Sequence, residues 1–231
     1  MERSDMEKFI NQYLEDNGRN LDEKPASFDY CYNYFHSFYK AKRIEKLADK
    51  ENLQISCLQI GFYLASSGMM RGSSPLLGRS VGNFKKLIMA ISRMDPKLWE
   101  IDLDNYSEET IELILECKKG ITDSLGNENK PTENMVTRIM LGVFGNIPTF
   151  DQYFKNSFKM KKVTKKSLLK LNEIYGENKS ILNSFEVHTL DFVTGKETEV
   201  VYTRAKLLDI YGYMDGQLKK PEICMDCCID I

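Results

Sequence analysis

Residues 132–154 read TENMVTRIMLGVFGNIPTFDQYF, and the reading of this stretch decides the fold. Met135, Val136, Ile139, Met140, Val143 and Phe144 recur at spacings of three and four. Their stripe is too broad for a surface helix, so the segment is expected to run through the interior. Thr132 or Asn134 supplies a start signal. Gly145 closes the helix, and Pro148, with no amide hydrogen to donate, prevents its continuation. The chain then restarts near Thr149, which places Asp151 in the first turn of the next helix, where free backbone N–H groups favour a carboxylate.

An apolar helix of this kind needs other helices around it, and the flanking sequence supplies them. Upstream, Met6, Phe9, Ile10, Tyr13 and Leu14 form a short amphipathic helix that ends at Asn17-Gly18. Ser27 is the expected N-cap of an aromatic-rich helix running on to Ala48, whose rings are too many for one face, so it is read as wedged between neighbours. Apolar helices follow over 51–68 and 81–94, and Asp95-Pro96 opens a turn carrying Trp99, the sole tryptophan. Ser107 with Glu108 and Glu109 marks the start of a helix expected to close at Gly120.

Downstream, a helix is expected from Lys165 to Gly176, a short turn over 179–185, and a helix over 202–214. One β signal appears, a hairpin near 187–201 around Thr194-Gly195. The fold class is therefore all-α, a multi-helix domain over 1–220 with one short hairpin. Residues 221–231 are expected to be a loosely held, cysteine-bearing tail.

Bulk properties narrow the function classes. The chain has 231 residues, 32 Lys and Arg against 34 Asp and Glu, and a formal net charge of −2. No global polybasic field advertises a nucleic-acid partner, so any such footprint is local. The apolar runs fall far short of the roughly 18 residues of a membrane span, so no membrane partner is expected. The charged N-terminus, MERSDMEKFINQYLEDNGRN, lacks the apolar core of a signal peptide. The six cysteines read as reduced thiols, and the expected location is cytoplasmic. Cys224, Cys227 and Cys228 lack the partner pair that zinc needs, so no metal and no cofactor is expected.

The candidate chemistry centres on Asp151. Behind it, residues 153–170 carry seven lysines and no acid. A lone carboxylate before a cationic run suits an anionic substrate, and nucleic acid is the obvious one. The pattern of a helix, Gly145, Pro148, Asp151, Tyr153 and Phe154, covering roughly residues 132–158, resembles the core of the helix-hairpin-helix base-excision DNA glycosylases. That resemblance implies a helical enzyme that flips a base out of the duplex and hydrolyses its N-glycosidic bond. Asp151 would orient water or stabilise the oxocarbenium charge, and Lys155, Lys159, Lys161 and Lys162 would hold phosphates. The sequence departs from the family in the slot before the apolar helix, GNENKPTEN (126–134), which has no Gly-x-Gly. No lysine aligns with the Schiff-base position of bifunctional members, so the implied activity is monofunctional.

A second candidate is the loop GMMRGSSPLLGRS (68–80), where Arg71, Ser73 and Ser74 could wrap a phosphate. It matches neither a Walker motif nor a dinucleotide fingerprint. His188 and Asp191 are a weaker acid–base pair. Two alternatives stay open: a non-catalytic helical regulatory or interaction protein, and an enzyme acting on a small phosphorylated metabolite through the 68–80 loop.

Overall fold

The computed structural model describes residues 3–16, 20–71, 74, 76–126 and 131–219. Ser73 and the tail beyond residue 219 lie outside these. The described residues form nine α-helices and one two-stranded antiparallel sheet, so the chain is mainly helical with a short hairpin.

The centre of the fold is α6 (Glu133–Phe144). Thr132 caps it, accepting from the Met135 N–H. From Met135 through Phe150 every residue is buried except Arg138. The helix ends at Gly145 with φ +70°, a left-handed conformation in which a side chain is strained. A Cβ there would also lie 2.9 Å from both Thr203 and Tyr32. The expected interior helix with a glycine stop is what these residues form.

Around α6 pack α2 (Ala26–Lys40), α3 (Leu53–Ser66) and α5 (Glu108–Ser124). The aromatic α2 is wedged between neighbours as expected, with Phe28, Tyr32 and Phe35 buried. Three details differ from expectation. Ser27 is not the cap of α2: its hydroxyl donates to the Lys24 carbonyl at 2.7 Å and meets Ser66 Oγ at 2.6 Å. The helix also stops at Lys40, because Lys42 takes a left-handed φ of 54°, and a separate 3-10 turn covers Ile44–Ala48. Gly120 does not end α5, which runs on to Ser124.

The periphery is built from α1 (Arg3–Asp16), α4 (Lys85–Ile91), α7 (Gln152–Phe158), α8 (Lys165–Leu182) and α9 (Arg204–Leu218). Residues 165–182 form one continuous helix where two shorter elements were expected. Gly176 stands in open space and costs α8 only intrinsic helix propensity. Helix α9 packs along α7 and α1, bringing the C-terminal third of the chain back to the elbow.

Strands β1 (His188–Leu190) and β2 (Glu197–Val201) form the hairpin. It docks on α2 through Asp29, whose carboxylate accepts from the Leu190 N–H at 2.8 Å and the Tyr202 hydroxyl at 2.6 Å. No helix among the described residues is long and apolar enough to cross a membrane.

Candidate functional site

The elbow after α6 folds back along the helix it leaves. Phe150 N–H donates to Thr137 Oγ1 at 2.9 Å, so the returning chain lies beside the middle of α6. Helix α9 holds the elbow at two points. Thr203 Oγ1 donates to the Gly145 carbonyl at 2.6 Å, and the Asp209 carboxylate accepts from both the N–H (3.0 Å) and the hydroxyl of Thr149. From a third side, Tyr106 donates its hydroxyl to the Asn146 carbonyl at 2.6 Å. An elbow so anchored fixes the carboxylate that follows it.

That carboxylate is Asp151, the N-cap of α7. Its Oδ1 accepts from the Phe154 N–H at 2.9 Å and its Oδ2 from Arg138 Nη2 at 3.1 Å, both side chains being 16% exposed. Burial, and next the negative charge of Asp209, raise the Asp151 carboxyl above its ordinary range, against the pull of the Phe154 N–H and Arg138. Arg138 also hydrogen-bonds the buried Tyr63 hydroxyl of α3. Its Nε is buried without a partner. In a guanidinium, Nε and Nη2 form one side of a planar fork, so the edge turned to Asp151 is half used.

Asp209 is held in turn by Lys206 at 3.3 Å, and the Lys206 ammonium lies 4.5 Å from the Phe28 ring centroid. The centre thus contains two carboxylates and two cations from α6, α7 and α9, most of their surface withdrawn from water. Such an arrangement is expensive to desolvate and is more common at functional sites than elsewhere. Among the described residues, its one unspent donor is the Arg138 Nε–H, and burial favours the neutral form of the Asp151 carboxyl.

The lysines expected around Asp151 run away from it along α7 and the segment that follows. Lys155 is one turn further on α7, its N–H donating to the Asp151 carbonyl at 3.0 Å. Lys159 ends α7 with a left-handed φ of 57°. Lys161 and Lys162 are exposed just beyond. This segment is pinned to the start of α6: Glu133 accepts from the Val163 N–H at 2.5 Å and pairs with Lys118 at 2.7 Å, while Lys118 also donates to the Val163 carbonyl.

The second candidate is loop 68–80, of which residues 72, 73 and 75 lie outside the described residues. Ser74 spends its hydroxyl within the loop, donating to the Met69 carbonyl and accepting from the Leu76 N–H at 3.2 Å. Arg71 is exposed, its Nε 3.0 Å from where a Cβ on Gly68 would sit. His188 and Asp191 both serve the hairpin. His188 Nδ1 meets the Thr198 carbonyl at 2.8 Å, and Asp191 Oδ1 accepts from the Thr194 N–H and hydroxyl. Among the described residues no three metal-binding side chains cluster. Cys31, Cys57 and Cys117 are buried free thiols.

Arg138, Lys206, Asp209 and Tyr63 were not singled out from the sequence. One signal was available for Arg138, the only charged side chain between Met135 and Phe150.

Comparison with known proteins finds no matching family model, no matching curated protein and no matching solved structure. The functional reading therefore rests on the site itself.

Proposed function

We propose that the α6–α7 elbow is the active centre of an enzyme acting on nucleic acid in a reducing compartment such as the cytoplasm. Asp151 is its carboxylate and hydrolysis of an N-glycosidic bond its reaction. One observation carries the reading: Asp151 is rigidly held and largely buried against an arginine whose guanidinium edge is half used. Cleavage of an N-glycosidic bond builds positive charge on the sugar, and a fixed carboxylate in a water-poor site stabilises it. Arg138 Nε would hold one acceptor atom beside Asp151, either a water or a substrate oxygen. Lys155, Lys159, Lys161 and Lys162 would lead the phosphate backbone along α7 and the segment beyond it.

The test compares wild type with Asp151→Asn on single- and double-stranded oligonucleotides at low and moderate salt, following base release in parallel. Salt-sensitive binding kept by the variant, with base release lost, supports the reading. Absence of binding by both proteins at low salt sinks it.

Two specific observations favour a second reading, a non-catalytic interaction protein. Both Asp151 oxygens already accept hydrogen bonds from the protein, which accounts for the residue as a cap and an ion-pair partner. In addition, Ile55, Leu58 and Phe62 leave one face of α3 exposed, at 48, 44 and 67%. This reading expects co-purification of a partner and no base release.

A further inference from the structure

We propose that a groove on another face of the molecule binds a nucleoside-monophosphate-sized ligand: an aromatic ring carrying an anionic group. The groove encloses about 560 Å³ between the end of α2 and the segment following α4. That volume is in the range of small-molecule sites, roughly 300–1,000 Å³. It shares no lining residue with the Asp151 centre.

Its walls divide by chemistry. Ile44, Met94 and Pro96 give apolar surface, and Tyr39 lies beside them. The Tyr39 ring is already stacked on Trp99, 4° from parallel with centroids 5.8 Å apart, and its hydroxyl is fixed by donation to Glu100 at 2.8 Å. A ring held on both counts is a preorganised platform, since little side-chain freedom is left to lose when a ligand stacks on it.

Lys40, Lys42 and Arg93 supply the cations on the lining. All three are exposed, and none forms an ion pair among the described residues. Nor are they needed to satisfy the adjacent helix ends. The last carbonyls of α2 already accept from the N–H groups of Ala41, Lys42 and Arg43, and those of α4 from Ser92, Arg93 and Met94. Three uncommitted cations beside an aromatic platform match a phosphate attached to a ring. The two carboxylates on the lining, Glu45 and Glu100, oppose a bare anion and offer acceptors to ligand hydroxyl or amino groups. A nucleoside monophosphate presents all three features, whereas inorganic phosphate presents one.

The ligand has a built-in reporter, because Trp99 is the only tryptophan and lies under Tyr39. The full chain is titrated with adenosine monophosphate, adenosine and inorganic phosphate, following tryptophan emission and thermal stability, in wild type and in the Lys42→Gln/Arg93→Gln variant. Both substituted side chains are exposed, so the variant is expected to keep the wild-type Tm. The proposal expects saturable adenosine monophosphate binding at least about tenfold tighter than either fragment, and about tenfold or more weaker in the variant. It is overturned if no probe changes emission or Tm at millimolar concentration, if phosphate alone binds as tightly as the nucleotide, or if the variant binds like wild type. None of these readings requires activity at the elbow.

Discussion

The Arg138 guanidinium and the Asp151 carboxylate meet at 3.1 Å although they lie thirteen positions apart, because the elbow lays the chain back along α6. Their pairing couples the one charged side chain of the buried stretch to the first residue after it. Breaking a buried pair by removing one member leaves an uncompensated charge, at a cost of about 3–5 kcal/mol. Arg138→Met is therefore expected to destabilise by about that much in urea denaturation. Asp151→Asn keeps a competent N-cap but leaves Arg138 unpaired, so it also destabilises. The double variant should lose less than the sum, by at least about 1 kcal/mol. Simple additivity would show that the two side chains do not act as a pair.

Helix α9 approaches α7 so closely at Gly216 that an added Cβ would lie 2.0 Å from the Tyr153 carbonyl oxygen. Alanine normally improves a helix interior by about 1 kcal/mol over glycine. Here the clash is with backbone, and relief requires the two helices to separate. Gly216→Ala is expected to destabilise by about 3 kcal/mol, read as a Tm lowered by several degrees. Since α7 is the helix that Asp151 caps, any function at the elbow should fall with it. A stabilised variant would mean that α7 and α9 are not in contact at this point.

The elbow itself was legible in the sequence, because its signals are local. Gly145, Pro148 and an acid at a helix start each act through their own backbone, and the Thr194-Gly195 turn does the same for the hairpin. What surrounds the elbow was not legible. Asp209 reaches Thr149 from sixty residues away, and Lys206 reaches Asp209 only because α9 returns along α7. Neither residue carries a local mark that distinguishes it from a surface charge on an amphipathic helix. The basic run after Tyr39 read as the continuation of a helix. Only the left-handed turn at Lys42 separates it into the wall of a groove. Gly120 and Gly176 misled in the opposite direction, since packing carries a helix through a glycine that local propensity would make an end.

Asp102 gives the structure a pH dependence whose sign can be worked out. Its carboxylate accepts from the N–H groups of Leu103, Arg204 and Ala205, tying the start of α9 to the turn before α5. Burial outweighs these donors and pushes its pKa up to about 6. The folded value thus exceeds the unfolded one, near 4, and the native state holds the proton more tightly. The resulting contribution to stability is present below about pH 4 and is lost as pH rises towards 6, on the order of 2–3 kcal/mol. Comparing urea midpoints of wild type and Asp102→Ala across this window isolates the effect. The alanine variant, lacking the cap, is less stable throughout, and its deficit should be largest at the acid end. A deficit that grows towards neutral pH would mean that the cap is strongest when ionised and that burial is not the governing influence.

The lysine strip offers a test of the nucleic-acid reading that does not depend on catalysis. Lys161 and Lys162 are exposed beyond the end of α7, on a segment fastened to the start of α6 through Glu133 and Lys118. Their ammonium groups therefore project from a fixed backbone. Each lysine that neutralises a phosphate releases a counterion and adds about 0.9 to the slope of log affinity against log salt on duplex DNA. Replacing both by glutamine should lower the magnitude of that slope by about 2, weakening all sequences alike and leaving the fold intact. An unchanged slope in a protein that still binds would place the nucleic acid on another face. The strip would then be a solvated edge of the α6–α7 unit, and the case for Asp151 acting on a phosphate-borne substrate would lose its electrostatic support.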